Sequence, residues 1–260
     1  MLFLFLFGLL YSCSETQEKV VSSESSAKLT AFNDFIPSYV AEVPNLEIEP
    51  GKYINRVIGK YTVDARVDSI HVKAVYLKIK DSKENIIFQG YAYNGYKNGW
   101  WEVSHKNKLM CCGNYISNKK SGLWSYYKLA EETQKFVHFK NDTLEGLAQE
   151  YSADSALLSQ GNYVRGLKSD YWKYFYTNGK IKEQGSFYDG YKSGWWQSFE
   201  PNGNLLEEAS YSRNEISGYT KQYLNGVIFE EGKLFNGRRR GSWKLYDDTG
   251  KLKRIFEHEE

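Results

Sequence analysis

Proline is almost missing from this chain: four residues in 260, three of them before residue 51. Cysteine is scarcer still, with three, and two of these are the neighbours Cys111 and Cys112. Three cysteines exclude a disulfide-stapled scaffold. The four histidines, His71, His105, His138 and His258, are scattered, and no HExxH-type zinc spacing occurs. Neither charge dominates: the formal net charge is +2, which offers no general field for nucleic acid or an anionic membrane. No G-x-S-x-G elbow, P-loop or dinucleotide-binding glycine pattern appears. A non-enzymatic chain with no metal and no cofactor is the reading. The acidic pairs Glu207-Glu208 and Glu230-Glu231 are expected near turns as solvated charge, and so is the basic run Arg238-Arg239-Arg240.

Aromatic residues and glycine are plentiful instead: 22 Tyr, 14 Phe, 7 Trp and 22 Gly. Few prolines with many aromatics and glycines suit strands joined by tight turns. From residue 90 onward these residues recur about every 24 positions. The anchors are Gly99, Gly122, Gly146, Asp170, Gly194, Gly218 and Gly241. Two residues after each stand Trp101, Trp124, Ala148, Trp172, Trp196, Thr220 and Trp243. Nine before each is a small residue: Gly90, Gly113, Val137, Gly161, Gly185, Ala209, Gly232.

Five after the small residue come Gly95, Asn118, Asp142, Gly166, Gly190, Asn214 and Gly237, the residue types that best tolerate positive φ. Small residue to anchor therefore reads as strand, tight turn, strand. A second turn closes each unit, explicit at Asn178-Gly179, Asn202-Gly203, Asn225-Gly226 and Thr249-Gly250 and expected as type I′. The fold class that follows is all-β: an elongated single-sheet array of consecutive β-hairpins, about 24 residues per repeat. On this reading the anchor glycine leaves room for a ring from a neighbouring strand. Seven repeats fill residues 90–260 with a C-terminal cap. Residues 51–89 read as a degenerate capping repeat, with Ala65, Ala74, Tyr76 and Ile79 at the offsets of small residue, anchor, tryptophan and final aromatic.

The N-terminus has a different character. Met1 to Leu10 is almost wholly apolar and, at ten residues, too short for a bilayer-spanning helix, which needs roughly 17–25. It fits the apolar region of a signal peptide over residues 1–12. Leu10-Tyr11-Ser12-Cys13 resembles a bacterial lipobox, which implies cleavage before Cys13 and lipidation of that cysteine. Tyr11 is bulkier than the usual residue, and no Lys or Arg precedes the apolar run. The alternative is an ordinary signal peptide with an unmodified Cys13. Residues 13–50 read as the lipidated cysteine and a flexible tether, reaching about 30–35 Å.

The repeats resemble MORN-variant repeats of the kind found in the YwqK-like antitoxin-type family. The resemblance rests on the G-x-W step, the aromatic three residues later, the N-G turn and the Y/F-x-x-G/N/D hairpin, over residues 90–256. It implies a hairpin array and a protein partner, and no catalytic activity. Repeats three and six lack the tryptophan, and repeat four has Asp170 for glycine.

Setting the repeats in register assigns Gly99, Trp101, Gly122, Trp124, Trp172, Gly194, Trp196, Gly241 and Trp243 to structure. Two tryptophans fall one residue off the repeated position: Trp100 and Trp195 should face the other side of the sheet and are the candidate ligand contacts. Cys111 and Cys112, adjacent in a strand, should also point to opposite faces, as two small core or edge residues or, alternatively, a vicinal disulfide. Three functions follow as expectations: a protein-binding scaffold of the bacterial cell envelope, a glycan-binding protein using exposed aromatics, or an antitoxin-like binder of a cognate toxin. In each, an outer-membrane lipoprotein faces periplasm or cell surface and meets the membrane only through its N-terminal lipid.

Overall fold

The structure, a computed structural model, describes residues 53–58, 61–67, 74–93, 96–128 and 133–259. The signal peptide, Cys13 and the tether lie outside the described residues, as does Gly95. All regular structure among the described residues is β, in eighteen strands. The chain divides into two units, residues 1–143 and 144–260.

In the first unit the strands are β1 (Tyr53–Ile58), β2 (Tyr61–Val67), β3 (Ala74–Lys80), β4 (Ile86–Tyr93), β5 (Tyr96–His105), β6 (Lys108–Ile116), β7 (Lys119–Lys128) and β8 (Thr133–Lys140). Each pairs antiparallel with the next. The second unit runs from β9 (Thr143–Tyr151), which starts at the boundary, through β10 (Leu157–Val164), β11 (Leu167–Phe175), β12 (Ile181–Tyr188), β13 (Tyr191–Phe199) and β14 (Leu205–Ser212). It continues with β15 (Glu215–Leu224), β16 (Val227–Phe235), β17 (Arg238–Tyr246) and β18 (Leu252–His258). Here too every strand pairs antiparallel with its successor. The expected all-β array of consecutive hairpins is the fold.

The two turns of a repeat differ. The first is a two-residue turn with both central residues at positive φ, as at Arg213 (48°) and Asn214 (71°). That is the type I′ geometry, whose twist matches the strands it joins. The second turn departs from expectation at Asn178-Gly179, Asn202-Gly203 and Thr249-Gly250. Of each pair only the glycine has positive φ: 81°, 93° and 78°. Tyr176 N–H donates to Lys180 O and Gly179 N–H to Tyr176 O, both at 2.9 Å. This is a longer loop built on an ordinary turn, with glycine at its left-handed exit. Asn225-Gly226 does have both residues at positive φ, 53° and 80°.

The anchor glycine does something other than make room for a ring. A Cβ on Gly99, Gly122, Gly194 or Gly241 would meet nothing within 4 Å, yet all four have positive φ. Asp170 takes the same conformation, φ 59°, which explains how aspartate substitutes for glycine there. The anchor sits in a bulge. Gly185 pairs with Trp196 and Ser186 with Ser193, so β13 carries two residues more than β12 at that point. At the bulge the Trp196 indole N–H donates to the Ser186 carbonyl at 2.9 Å. Trp101, Trp124, Trp172 and Trp243 make the equivalent bond at 2.8–3.1 Å. Room for the ring comes instead from the small residue. A Cβ on Gly90, Gly113, Gly161, Gly185 or Gly232 would stand 2.1–2.4 Å from the indole it faces.

The capping segment departs from its expected register. Ala65 pairs with Leu77, and Gly90 also pairs with Leu77, so Leu77 fills the slot assigned to Tyr76. The β2–β3 ladder has no two-residue bulge, and its register sets Leu77 opposite Ala65. Tyr76 lands on the other face, edge-on to Tyr91 at 4.9 Å.

Candidate functional site

The tryptophan face is closed by its own side chains. Trp101, Trp124, Trp172, Trp196 and Trp243 are all buried. Rings from neighbouring strands meet them edge-on, as Phe187 meets Trp196 at 5.1 Å. Over each indole, or over the ring beside it, lies a cation two residues before the anchor. Lys120, Lys168 and Lys192 stand 4.8, 4.5 and 4.3 Å from the centroids of Trp124, Trp172 and Trp196. Arg239 lies 4.2 Å from Trp243, and Lys97 lies 4.2 Å from Tyr115. Arg239 is exposed as expected, but it lies in β17 and not in a turn, and it pairs with Glu230 at 2.8 Å. Such contacts contribute about 0.5–2 kcal/mol each.

The cation follows the tryptophan across all seven repeats. Where the tryptophan is replaced by Ala148 or Thr220, the cation becomes Leu144 or Ile216, and the small residue is Val137 or Ala209 instead of glycine. Glycine, cation and tryptophan are one unit, exchanged together for aliphatic side chains.

Burial sets the electrostatics of this face. Lys97 is 7% exposed, and burial pulls its ammonium down to about 8, with the charge of Lys120 adding to the fall and Asp142 opposing it. Lys120 is lowered for the same first reason and donates to the Tyr126 hydroxyl at 3.1 Å. Burial pushes the Cys111 thiol up to about 12, far from the thiolate that chemistry would need. Cys111 pairs with Val103 and Cys112 with Glu102, so the two point to opposite faces as expected, and both are buried.

The opposite face of the second unit is built differently. Gln149, Gln160, Lys173, Gln184, Gln197, Glu208, Lys221, Glu231 and Lys244 stand in register across nine adjacent strands, one polar ladder in a row. Its members bond along the row. Gln184 Nε2 donates to Gln197 Oε1 at 2.9 Å and Gln197 Nε2 to Glu208 Oε1 at 2.8 Å. The acidic pairs thus lie inside strands, not near turns. Burial raises the Glu231 carboxyl, but hydrogen bonds from Tyr246 (2.5 Å), Lys244 (2.9 Å) and Tyr219 outweigh it and hold the group at about 2.

Beside this ladder, toward the first turns, β10–β13 expose Val164, Leu167, Tyr171, Tyr188, Tyr191 and Trp195. Val164 pairs with Leu167 and Tyr188 with Tyr191, and alternation places all six on the face away from the buried tryptophans. Tyr188 is 78% exposed and Trp195 42%. Trp100 also leaves the tryptophan face, pairing with Asn114, but it is half-buried, and its indole N–H reaches Glu102 at 3.4 Å. Of the two candidate contacts, only Trp195 is open. Sequence reasoning missed the five residues around it; the signal was present, because turn-flanking positions carry large apolar residues where solvent would favour polar ones. Among the described residues no group of three or more His, Cys, Asp or Glu side chains is placed to hold a metal.

Three stretches match the MORN repeat variant: residues 171–189, 193–213 and 239–259. The repeat with Thr220 in place of tryptophan lies in the unmatched gap between the second and third. No curated protein matches the chain. Among solved structures it is similar to a crystal structure of TarM, at 14% identity and TM-score 0.28, covering 42% of this chain and 20% of that one. A crystal structure of an S. aureus TarM mutant in complex with Fondaparinux, alpha-GlcNAc-glycerol and UDP is similar at 14% identity and TM-score 0.26, covering 36% and 19%. The chain spans about a fifth of the length of these proteins.

Proposed function

We propose that this protein is a non-catalytic scaffold of the bacterial cell envelope, tethered through a lipid on Cys13, whose MORN-variant repeats hold a protein partner. The observation that carries the reading is the patch on β10–β13. Six large apolar side chains, three Tyr and one Trp among them, are exposed together on one sheet face. Tyr and Trp dominate the energetics of protein interfaces because they bury large rigid area with few rotors. An uncovered group of this kind marks an interaction surface more often than a chance exposure.

The test is crosslinking and affinity capture from the native envelope with wild type, Tyr188→Ser and Trp195→Ser. Loss of one captured protein in both variants supports the reading; an unchanged set of captured proteins sinks it. Membrane fractionation of Cys13→Ala reads the tether separately, since unchanged membrane association counts against the lipid anchor.

A second reading, glycan binding, is favoured by one observation. Trp195 and Tyr171 lie open beside a ladder of amide and charged side chains, the pairing of aromatic plane and planar hydrogen-bonding group that sugars suit. Capture of polysaccharide in place of protein, lost in Trp195→Ser, selects it.

A further inference from the structure

One residue before the tryptophan position, three consecutive repeats of the second unit carry a large aromatic ring: Tyr171 on β11, Trp195 on β13 and Tyr219 on β15. The register sets them in one row. Gly185 pairs with both Trp172 and Trp196, and Ala209 with both Trp196 and Thr220, so the residues just before these positions lie on one line across the sheet. Alternation puts that line on the face away from the buried tryptophans. The strands between add small polar residues to it: Tyr171 pairs with Ser186 and Trp195 with Ser210. Rings therefore recur at every second strand, a pitch of about 9.4–9.8 Å. The row of rings is bounded: Leu147 and Asn162 precede it, and Lys233 and Ser242 follow.

Tyr171 and Trp195 are exposed, and Tyr219 is half-buried. Two residues further along the same strands stand Lys173, Gln197 and Lys221 of the polar ladder, with Gln184 and Glu208 between them. Trp195 donates to Glu208 and Tyr219 to Glu231. These bonds hold two of the rings in place, which lowers the ordering cost of binding. Gln184 and Gln197 each use one amide N–H inside the ladder and carry a second. Lys173, Glu208 and Lys221 alternate in sign, and Lys221 lies 4.0 Å from Glu208, so no cluster of one charge selects an ionic ligand.

We propose that this row binds a single uncharged β-1,4-linked polysaccharide chain laid across β11–β15, with one ring under every second sugar. The inference rests on the glycan reading above and names its ligand class. Equatorial β-1,4 links keep a chain extended and turn each sugar over relative to the last, so every second sugar offers the same C–H face. Two such sugars advance the chain by about the pitch of two strands. The apolar C–H face packs on a ring, while equatorial hydroxyls project sideways toward the ladder amides, Ser186 and Ser210. A polymer supplies the same group to each ring, whereas a folded protein surface presents a different one to each. α-1,4 links coil the chain and lose the match. Sheets twist by about 20–25° per strand, so a row across one turns as it goes. A single chain can follow that turn; a flat crystalline surface cannot.

The test is titration of the purified full chain with soluble oligosaccharides, read by calorimetry and by the fluorescence of the exposed Trp195. Cellohexaose or N-acetylchitohexaose, both β-1,4-linked, is expected to bind roughly tenfold or more tightly than its own disaccharide, because it reaches all three rings. Binding of either supports the proposal, and the preference between them reads whether the ladder engages hydroxyl or acetamido groups. Maltohexaose, which is α-1,4-linked, is expected not to bind. Tyr171→Ala, Trp195→Ala and Tyr219→Ala should each weaken hexasaccharide binding roughly tenfold, and Tyr219→Phe, which keeps the ring, should retain it. Ser242→Tyr adds a ring at the next position of the row and should tighten binding of a β-1,4-linked octasaccharide. Equal binding of maltohexaose, undiminished binding by an alanine variant, or no gain in Ser242→Tyr overturns this inference and leaves the glycan reading standing. If neither β-1,4 hexasaccharide binds, yet envelope capture yields a polysaccharide lost in Trp195→Ser, the inference again falls alone. If no polysaccharide is captured either, both fall.

Discussion

Gly185 and Trp196 compete for one volume: a Cβ on the glycine would stand 2.3 Å from Cδ2 of the indole. The contact is between paired residues of adjacent strands, so neither can move far without breaking the ladder. Gly185→Ala is expected to destabilise by about 1–3 kcal/mol through overpacking, and Trp196→Ala by about 3–5 kcal/mol through the cavity it leaves. Gly194→Ala is expected to have a different origin. Nothing lies within 4 Å of its missing Cβ, and its φ of 70° imposes about 1 kcal/mol or more of backbone strain. Chemical denaturation of a double-mutant cycle separates the two. In a Trp196→Ala background the Gly185→Ala penalty should vanish, while the Gly194→Ala penalty should persist.

Thr220 occupies the tryptophan slot of the sixth repeat, fully buried, with no hydrogen-bond partner for its hydroxyl among the described residues. Thr220→Val keeps the shape and removes the unsatisfied group, so it should stabilise by about 1 kcal/mol. Thr220→Trp should instead destabilise, because its paired residue is Ala209 and an indole there needs glycine. Adding Ala209→Gly and Ile216→Lys rebuilds the three-residue unit of the other repeats. That triple variant should melt above Thr220→Trp alone; a triple variant no more stable than the single one means the three positions are not coupled.

Much of this architecture was legible in the sequence because a backbone demand repeats with the period. Positive φ admits few residue types, and seven in-phase copies of Gly, Asn or Asp marked the first turn. Asn178-Gly179 misled because a dipeptide specifies a left-handed glycine without specifying loop length, and the loop here is longer. The anchor glycine and the small residue exchanged roles for a related reason: both are glycine, one for φ and one for space, and spacing alone does not distinguish them. The coupling of glycine, cation and tryptophan was visible in the two exceptional repeats, yet its meaning needed the ring to be placed. The patch around Trp195 was harder to find. Exposed tyrosines and buried tyrosines have the same letter, and only the strand register sorts them.

Glu231 sets the acid limit of the last repeats. Its carboxyl is held at about 2 in the folded protein against an ordinary value of 4.5, by bonds from Tyr246, Lys244 and Tyr219 that outweigh the opposing effect of burial. A lowered folded value means that the contribution is complete above the unfolded value, near 4.5, and is lost as pH falls toward 2. Glu231→Gln should therefore lower the denaturation midpoint at pH 6, and the gap from wild type should close by pH 2. A gap that stays constant across this range would show that the variant acts through packing.

Lys97 governs the alkaline side in the opposite sense. Its ammonium lies buried over the Tyr115 ring at 4.2 Å and the Phe88 ring at 5.6 Å, near the charge of Lys120 and the carboxylate of Asp142. Burial, first, and Lys120, second, bring it from 10.5 to about 8. Below pH 8 both folded and unfolded chains are protonated there, and the folded state bears the full penalty of the buried charge. Between pH 8 and 10.5 only the unfolded state holds the proton, so stability rises with pH. The full relief is about 3 kcal/mol. Burial also raises the Cys111 thiol and the Tyr115 hydroxyl, and these weaken the fold as pH climbs past 9 to 10, masking the gain in wild type alone. The difference between wild type and Lys97→Met cancels those shared effects. That difference should move in favour of wild type between pH 7.5 and 10, read from urea midpoints at each pH; a flat difference would mean that Lys97 keeps an ordinary amine pKa in the fold.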